Sequence, residues 1–236
     1  MKKIKIAALL TLGLILASTS AYCQSDYTVK GKIEGWPTET VYLVRQGDYE
    51  GVDSVKTTDG TFEFKGTIEG PTMAYLITKK REGVAKFLYV EPGTITVNGN
   101  FNAFKDVEIQ GSQTYNDFLK LKAGHEEIAS KINSLSEQQD NLSDEELNEI
   151  GNTIDSLNIA DVNFSKDFIK DHPNSVVSLE ELKALSVFMD KVTLQELFND
   201  LKDKVKNSPT GLIVKNAIES MEENDDTMED VFSFDN

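Results

Sequence analysis

The stretch GSQTYNDFLKLKAGHEEIASKINSL, residues 111–135, decides the fold, because the hydrophobic period changes inside it. Upstream of Gly111, apolar and polar residues alternate; downstream, Phe118, Leu121, His125, Ile128, Ile132 and Leu135 recur at spacings of three and four. Alternation is the mark of a strand with one face buried and one wet, and strict three-and-four spacing is the seam of a two-stranded coiled coil. The chain therefore divides at Gly111 into a β domain over residues 24–111 and an α-helical domain over 112–222. The expected class is α+β, an N-terminal antiparallel β-sandwich followed by an α-helical region that contains a long helical hairpin.

Upstream, Tyr27, Val29 and Ile33 alternate with Thr28, Lys30, Lys32 and Glu34, and Phe62, Phe64 and Ile68 with Thr61, Glu63, Lys65 and Thr67. Asp59-Gly60 supplies the positive-φ residues of a tight hairpin, and Pro92-Gly93 suits a type II turn between Phe87–Val90 and Thr94–Val97. With further runs at Val41–Val44, Met73–Ile77 and Val107–Ile109, the pattern predicts about eight short antiparallel strands, closed on their own core before Gly111.

Downstream, a polar stretch from Ser136 to Asn141 interrupts the seam. Ser143-Asp-Glu-Glu146 then forms a capping box for a second helix carrying Leu147, Ile150, Ile154 and Leu157. Antiparallel pairing of the two gives a hairpin over residues 112–170. Three shorter helices are expected over 175–222: Ser175 to Met189, Thr193 to Lys206 with Thr193 and Glu196 as a capping box, and one opened by Ser208-Pro209. Leu182, Leu185, Leu197, Leu201, Ile213 and Ile218 fit one-sided burial. Residues 223–236 read as an acidic disordered tail ending in a small apolar tag of Val231, Phe232 and Phe234.

Composition narrows the function. The 236 residues carry 40 Asp plus Glu against 24 Lys plus Arg, a formal charge of -16 whose field repels nucleic acid. One Cys and two His supply neither a disulfide framework nor a Cys/His zinc site. Residues 1–23 read as a secretory signal peptide, with Lys2, Lys3 and Lys5, an apolar run through Leu16 and a small-residue stretch to Ala21; the run is too short for a membrane span. Ala21 and Cys23 fit the small subsites of signal peptidase, placing cleavage between Cys23 and Gln24, while bulky Tyr22 argues against a lipid anchor at Cys23. The expected location is the periplasm or cell envelope. The mature chain then holds no thiol and cannot exchange disulfides.

The strings Tyr27-x-Val-x-Gly-x-Ile-x-Gly35, Val41-Tyr-Leu43, Asp53-Ser-Val55, Asp59-Gly-x-Phe62-x-Phe-x-Gly66 and Tyr89-Val-Glu-Pro-Gly93 resemble the β-sandwich domain called domain of unknown function 4369. His172-Pro-Asn-Ser175-Val-Val-Ser-Leu179 and Lys206-Asn-Ser-Pro-x-Gly211 resemble the helical connector that follows it in Bacteroidota envelope proteins, ahead of a thioredoxin-like domain. The resemblance implies an accessory module. The Trp-Cys-x-x-Cys redox site of such proteins has no counterpart here, so none of its residues carries over.

Few residues invite chemistry. His125 stands at a seam position, as a register-setting polar residue or a pH sensor; His172, before Pro173, suits a helix end. Adjacent carboxylates such as Glu145-Glu146 and Glu180-Glu181 fit solvated helical faces, and the acids around Asp225-Asp226 lack the ligand order of a calcium loop. Trp36, in the Gly35-Trp-Pro37 turn, is the candidate binding residue for a sugar or partner, or else a lid on the sandwich edge. Phe118, Leu121, Ile128 and Ile132 are the candidate association seam. No catalytic residue, metal or cofactor is assigned. The expectation is an exported, non-catalytic interaction or scaffolding module with a protein partner or a second copy. A docking accessory of envelope thiol-disulfide exchange and a glycan- or small-ligand-binding sandwich are the alternatives.

Overall fold

The computed structural model describes residues 24–46, 52–79, 82–138 and 142–221. The segment read as a signal peptide, with Cys23, and the segment 223–236 read as an acidic tail lie outside the described residues.

Among the described residues eight strands form two four-stranded sheets: β1 (Ser25–Glu34), β2 (Thr40–Arg45), β3 (Asp53–Lys56), β4 (Thr61–Ile68), β5 (Thr72–Lys79), β6 (Glu82–Val90), β7 (Gly93–Asn100) and β8 (Glu108–Gln110). The first sheet has the order β4-β1-β7-β8, the second β3-β2-β5-β6. Their inner faces follow the period-two pattern: Tyr27, Val29, Phe62, Phe64, Ile95 and Val97 from one sheet meet Val41, Leu43, Ala74, Leu76, Leu88 and Val90 from the other in one buried cluster.

Two expectations are corrected. The sandwich is not wholly antiparallel, since β1 pairs with β7 in parallel, Val29 opposite Ile95 and Gly31 opposite Val97. Alternation identifies a strand and its buried face but is silent on the direction of its neighbour. The tight turn forms as expected, with Thr61 N donating to Thr58 O at 3.1 Å across an antiparallel bridge, but it does not join two strands of one sheet. Asp59 and Gly60 both have positive φ, 56° and 76°, yet β3 and β4 belong to different sheets, so the turn carries the chain from one layer to the other. Pro92-Gly93 does the same between β6 and β7.

Among the described residues six α-helices follow: α1 (Gln113–Ser136), α2 (Asp144–Asp171), α3 (Val176–Leu185), α4 (Lys191–Asp200), α5 (Asp203–Lys206) and α6 (Pro209–Ser220). The expected capping box opens α2, with the Ser143 hydroxyl accepting from Glu146 N and the Glu146 carboxylate accepting from Ser143 N. Those bonds to Ser143 hold the Glu146 carboxyl below its usual range. His172 ends α2, its amide donating to Phe168 O. Ser208 caps α6 through Gly211 N. The box assigned to Thr193 and Glu196 is corrected: Asp190 caps α4, accepting from the Thr193 amide at 2.8 Å and the Thr193 hydroxyl at 2.7 Å. The two helices expected over 175–189 and 193–206 are shorter, with α3 ending at Leu185 and α4 broken before α5. Leu182, Leu185, Leu197, Leu201 and Ile218 are buried as expected, but Ile213 is 64% exposed.

The apolar interior does not stop at Gly111. Tyr115 and Leu121 of α1, Phe168 of α2 and Val177 of α3 belong to the same buried cluster as the sandwich, with Phe118 and Phe164 packed against it. A second cluster, around Leu179, Leu182, Leu194, Leu197 and Phe198, fills the helical end. The junction is built on the outer face of the second sheet. Along β5 and β6, Tyr75, Phe87 and Tyr89 form an aromatic row that continues into α1, with Phe87 and Phe118 ring centres 4.8 Å apart. The apolar run of β6 thus reflects burial on both faces, whereas Tyr75 on the outer face of β5 stays 46% exposed.

Polar contacts secure the junction. The Glu91 carboxylate, from the Val90-Glu91-Pro92 turn, accepts from the Gln113 amide at 2.5 Å, the Thr114 amide at 3.3 Å and the Thr114 hydroxyl, satisfying otherwise free donors at the positive end of α1. The Tyr89 hydroxyl donates to Glu180 of α3 at 2.5 Å. Burial pushes the Tyr89 hydroxyl up, reinforced by its bond to Glu180, and burial also raises the Glu180 carboxyl, which the Tyr89 bond partly offsets.

A raised carboxyl favours the protonated form in the folded state. The folded chain is therefore free of the charge-burial penalty at low pH and acquires it as pH rises from the unfolded value through the raised folded one. Glu180→Gln keeps an acceptor for Tyr89 and removes the charge. The variant should match the parent in urea midpoint at about pH 4 and exceed it at about pH 7.5; a difference that does not grow with pH would mean that the ionised carboxylate carries no burial cost.

Candidate functional site

The helical hairpin has a root and a free end, and the boundary lies at His125. Its Nδ1 is 2.7 Å from Asp161 Oδ1 of α2, and its Nε2 is 3.3 Å from Glu181 Oε1 of α3. One imidazole thus joins three helices, its ring edge-on to Phe164 at 5.3 Å. The carboxylates sit at opposite ring nitrogens, so they do not converge on a common ligand position; among the described residues no group of three His, Cys, Asp or Glu is placed to hold a metal ion. This is a structural tie.

The tie also fixes register. Asp161 continues the α2 seam of Leu147, Ile150, Ile154 and Leu157, so His125 and Asp161 form a polar layer within it. Counting two turns outward on each antiparallel helix brings Ile132 level with Ile154 and, counting two turns inward, Phe118 level with Phe168.

Below that layer the seam is part of the core; above it the seam is open. Phe118 and Leu121, expected as association residues, are committed to the sandwich: Leu121 is 7% exposed and Phe118 lies in the aromatic row. Ile128 and Ile132, with Leu135, Ile150, Ile154 and Leu157, are only half-buried, and no described residue between Lys122 and Phe164 is buried. Two helices of this length shelter each other on one side only, which leaves an apolar stripe along the free end.

Glycines mark the same boundary. A Cβ on Gly124 would sit 2.0 Å from Phe164 Cζ, whereas one on Gly151 would meet nothing within 4 Å. Replacing Gly by Ala inside a helix gains roughly 0.5–1 kcal/mol where space allows, while forcing a ring aside in a packed site costs about 1–3 kcal/mol. Gly151→Ala should therefore raise the thermal midpoint and Gly124→Ala lower it. Equal shifts in one direction would contradict the described seam.

Trp36 packs on the sandwich end and at the same time borders a cleft. Its ring meets Phe101 and Phe104 edge-on at 5.7 and 5.8 Å, and its Nε1 donates to Thr38 Oγ1 at 2.9 Å and Thr40 O at 3.2 Å. It borders a polar cleft of about 430 Å³ with Lys32, Glu34, Thr57 and Asp59, but its apolar surface and indole N–H are engaged by the sandwich end. His172 stacks on Phe168 at 4.2 Å, so both histidines serve helix contacts.

Two features escaped the sequence. Val187, Phe188 and Val192, between and within the ends of α3 and α4, are 78%, 60% and 64% exposed, an apolar surface no periodicity announced. Nor did period reveal that α1 docks on the outer sheet face, although the run Phe87–Val90, apolar at every position, signals double-sided burial.

The family model described as domain of unknown function (DUF4369) matches residues 27–118. The match covers the sandwich and the start of α1, the part of the chain that is similar to this family. The matched segment runs past Gly111 and ends at Phe118, where α1 leaves the aromatic row. Within it, Glu91 of the Tyr89-Val-Glu-Pro-Gly93 string gains a physical role as the cap of α1. No curated protein and no solved structure matches the chain. No helix of the described residues is long and apolar enough to cross a membrane.

Proposed function

We propose that the chain is an exported, non-catalytic interaction module of the bacterial cell envelope, in which the DUF4369 domain is a rigid base and the free end of the hairpin is the docking platform. The observation that carries this reading is the half-open seam from Ile128 to Leu135 and from Ile150 to Leu157, beyond the last buried residues of either helix. Exposed apolar stripes of this kind are characteristic of binding faces. Export is supported by the lysine-led apolar segment at residues 1–23, and a non-catalytic role by the engagement of both histidines in helix contacts.

The test is site-specific photocrosslinking in cells that export the full chain. A photoreactive residue at Leu135 is expected to capture a partner that one placed at Thr38 beside Trp36 does not. Capture at Thr38 alone would replace this reading by a ligand-binding sandwich. A captured protein with a Cys-x-x-Cys site would make the module an accessory of thiol-disulfide exchange.

A further inference from the structure

We infer that the occupant of the open hairpin seam is a basic amphipathic helix of another protein rather than a second copy of this chain; the inference rests on the docking-platform reading and specifies its partner. Residues 122–161 hold ten carboxylates against two lysines, a net -8, so half of the formal charge of -16 is concentrated in these forty of 236 residues. Over Asp144 to Asp161 there are six acids and no Lys or Arg. The two lysines of the segment are already paired within α1, Lys122 with Glu126 and Lys131 with Glu127.

Shape and charge select the same partner. Positions directly beside the open seam are small at Ala129 and Gly151, so no long side chain closes over the stripe there, and the space beside Gly151 is empty to 4 Å. A third helix can therefore reach Ile150 and Ile154 over that ledge. Apart from Asp161 of the polar layer, the acids lie outside the seam, where they would flank the incoming helix. Lysines or arginines on that helix would meet them as ion pairs. A second copy would instead set one acidic hairpin against another, and like charges at contact distance are not screened away at ordinary salt.

The test uses the full chain and two synthetic helical peptides with leucine at seam positions, one carrying lysine and the other glutamate at the remaining sites, followed by fluorescence anisotropy. The lysine peptide should bind, the glutamate peptide should not, and binding should weaken as salt rises. Gly151→Phe, which fills the ledge, should weaken binding roughly tenfold or more, while Gly70→Ala, in the sandwich where nothing lies within 4 Å, leaves it unchanged; circular dichroism verifies that both variants are folded. Unaltered binding to Gly151→Phe would reduce the effect to adsorption on negative charge and overturn the inference, as would equal binding of the two peptides. A dimer seen by sedimentation and dissolved by Gly151→Phe would identify the second copy as occupant. Either result would leave a Leu135 crosslink, and with it the platform reading, standing.

Discussion

Phe168→Asp is expected to unfold strands and helices in one transition. Phe168 is 5% exposed, stacks on His172 and belongs to the cluster that includes Val29, Leu43 and Leu88 of the sandwich. Removing a buried phenylalanine costs about 3–5 kcal/mol before the carboxylate is considered, and burying that charge adds to it. A loss of this size is comparable to the whole stability of an ordinary domain. Ile128→Asp changes a half-buried residue above the His125 layer, so it should fray the free end of the hairpin and spare the strands. Trp36, the single tryptophan, reports on the sandwich, and circular dichroism reports on the helices. In Phe168→Asp both signals should be lost together; a native tryptophan signal beside melted helices would restore a sandwich with a closed core of its own.

Gly31→Ala is the second large effect. Gly31 lies in β1, between β4 and the parallel partner β7, and a Cβ there would fall 1.8 Å from the Val97 carbonyl oxygen. The obstacle is backbone, which no rotamer change relieves, so the two central strands must separate. We expect a loss of more than about 3 kcal/mol, at the severe end for a single methyl. Gly70→Ala, where nothing lies within 4 Å, is the matched control and should be near neutral. A Gly31→Ala protein as stable as this control would contradict the close parallel pairing of β1 and β7.

The contrast between these sites also explains what the sequence could convey. Strand faces were legible because burial repeats every second residue: Phe62, Phe64 and Ile68 point inward as expected. The α2 start was legible because Ser143 and Glu146 satisfy each other locally. Pairing direction was not, since β1 and β7 are joined by contacts more than sixty residues apart that leave no local trace. The α4 cap was misplaced for a related reason: Thr193 and Glu196 have the right spacing, but Asp190 lies earlier and its carboxylate takes both Thr193 donors.

For the candidate site, period placed His125, Ile128 and Ile132 on one stripe, and the same period placed Phe118 and Leu121 with them. What separated the two groups is tertiary. An aromatic row on β5 and β6 covers the first turns of α1, and Glu181 reaches His125 from α3, so the open seam begins only above that layer. A heptad specifies which residues face a partner helix but not how far along the helix a third body lies. The exposed Phe188 and Ile213 follow the same rule, because amphipathic spacing does not say whether every turn of a face is covered.

The most direct measurement of the central claim, a shared core with an incompletely sheltered hairpin end, is amide hydrogen exchange along α1 and α2 in the free full-length chain. Helix segments that open locally exchange well ahead of global unfolding, and those tied to the core exchange with it. Residues 113–121 and 165–171 should be protected together with β1 and β6, and protection should drop beyond the His125–Asp161 layer, over 126–138 and 142–160. Protection of the free end equal to that of the sandwich would show a seam complete in two helices and would contradict the account.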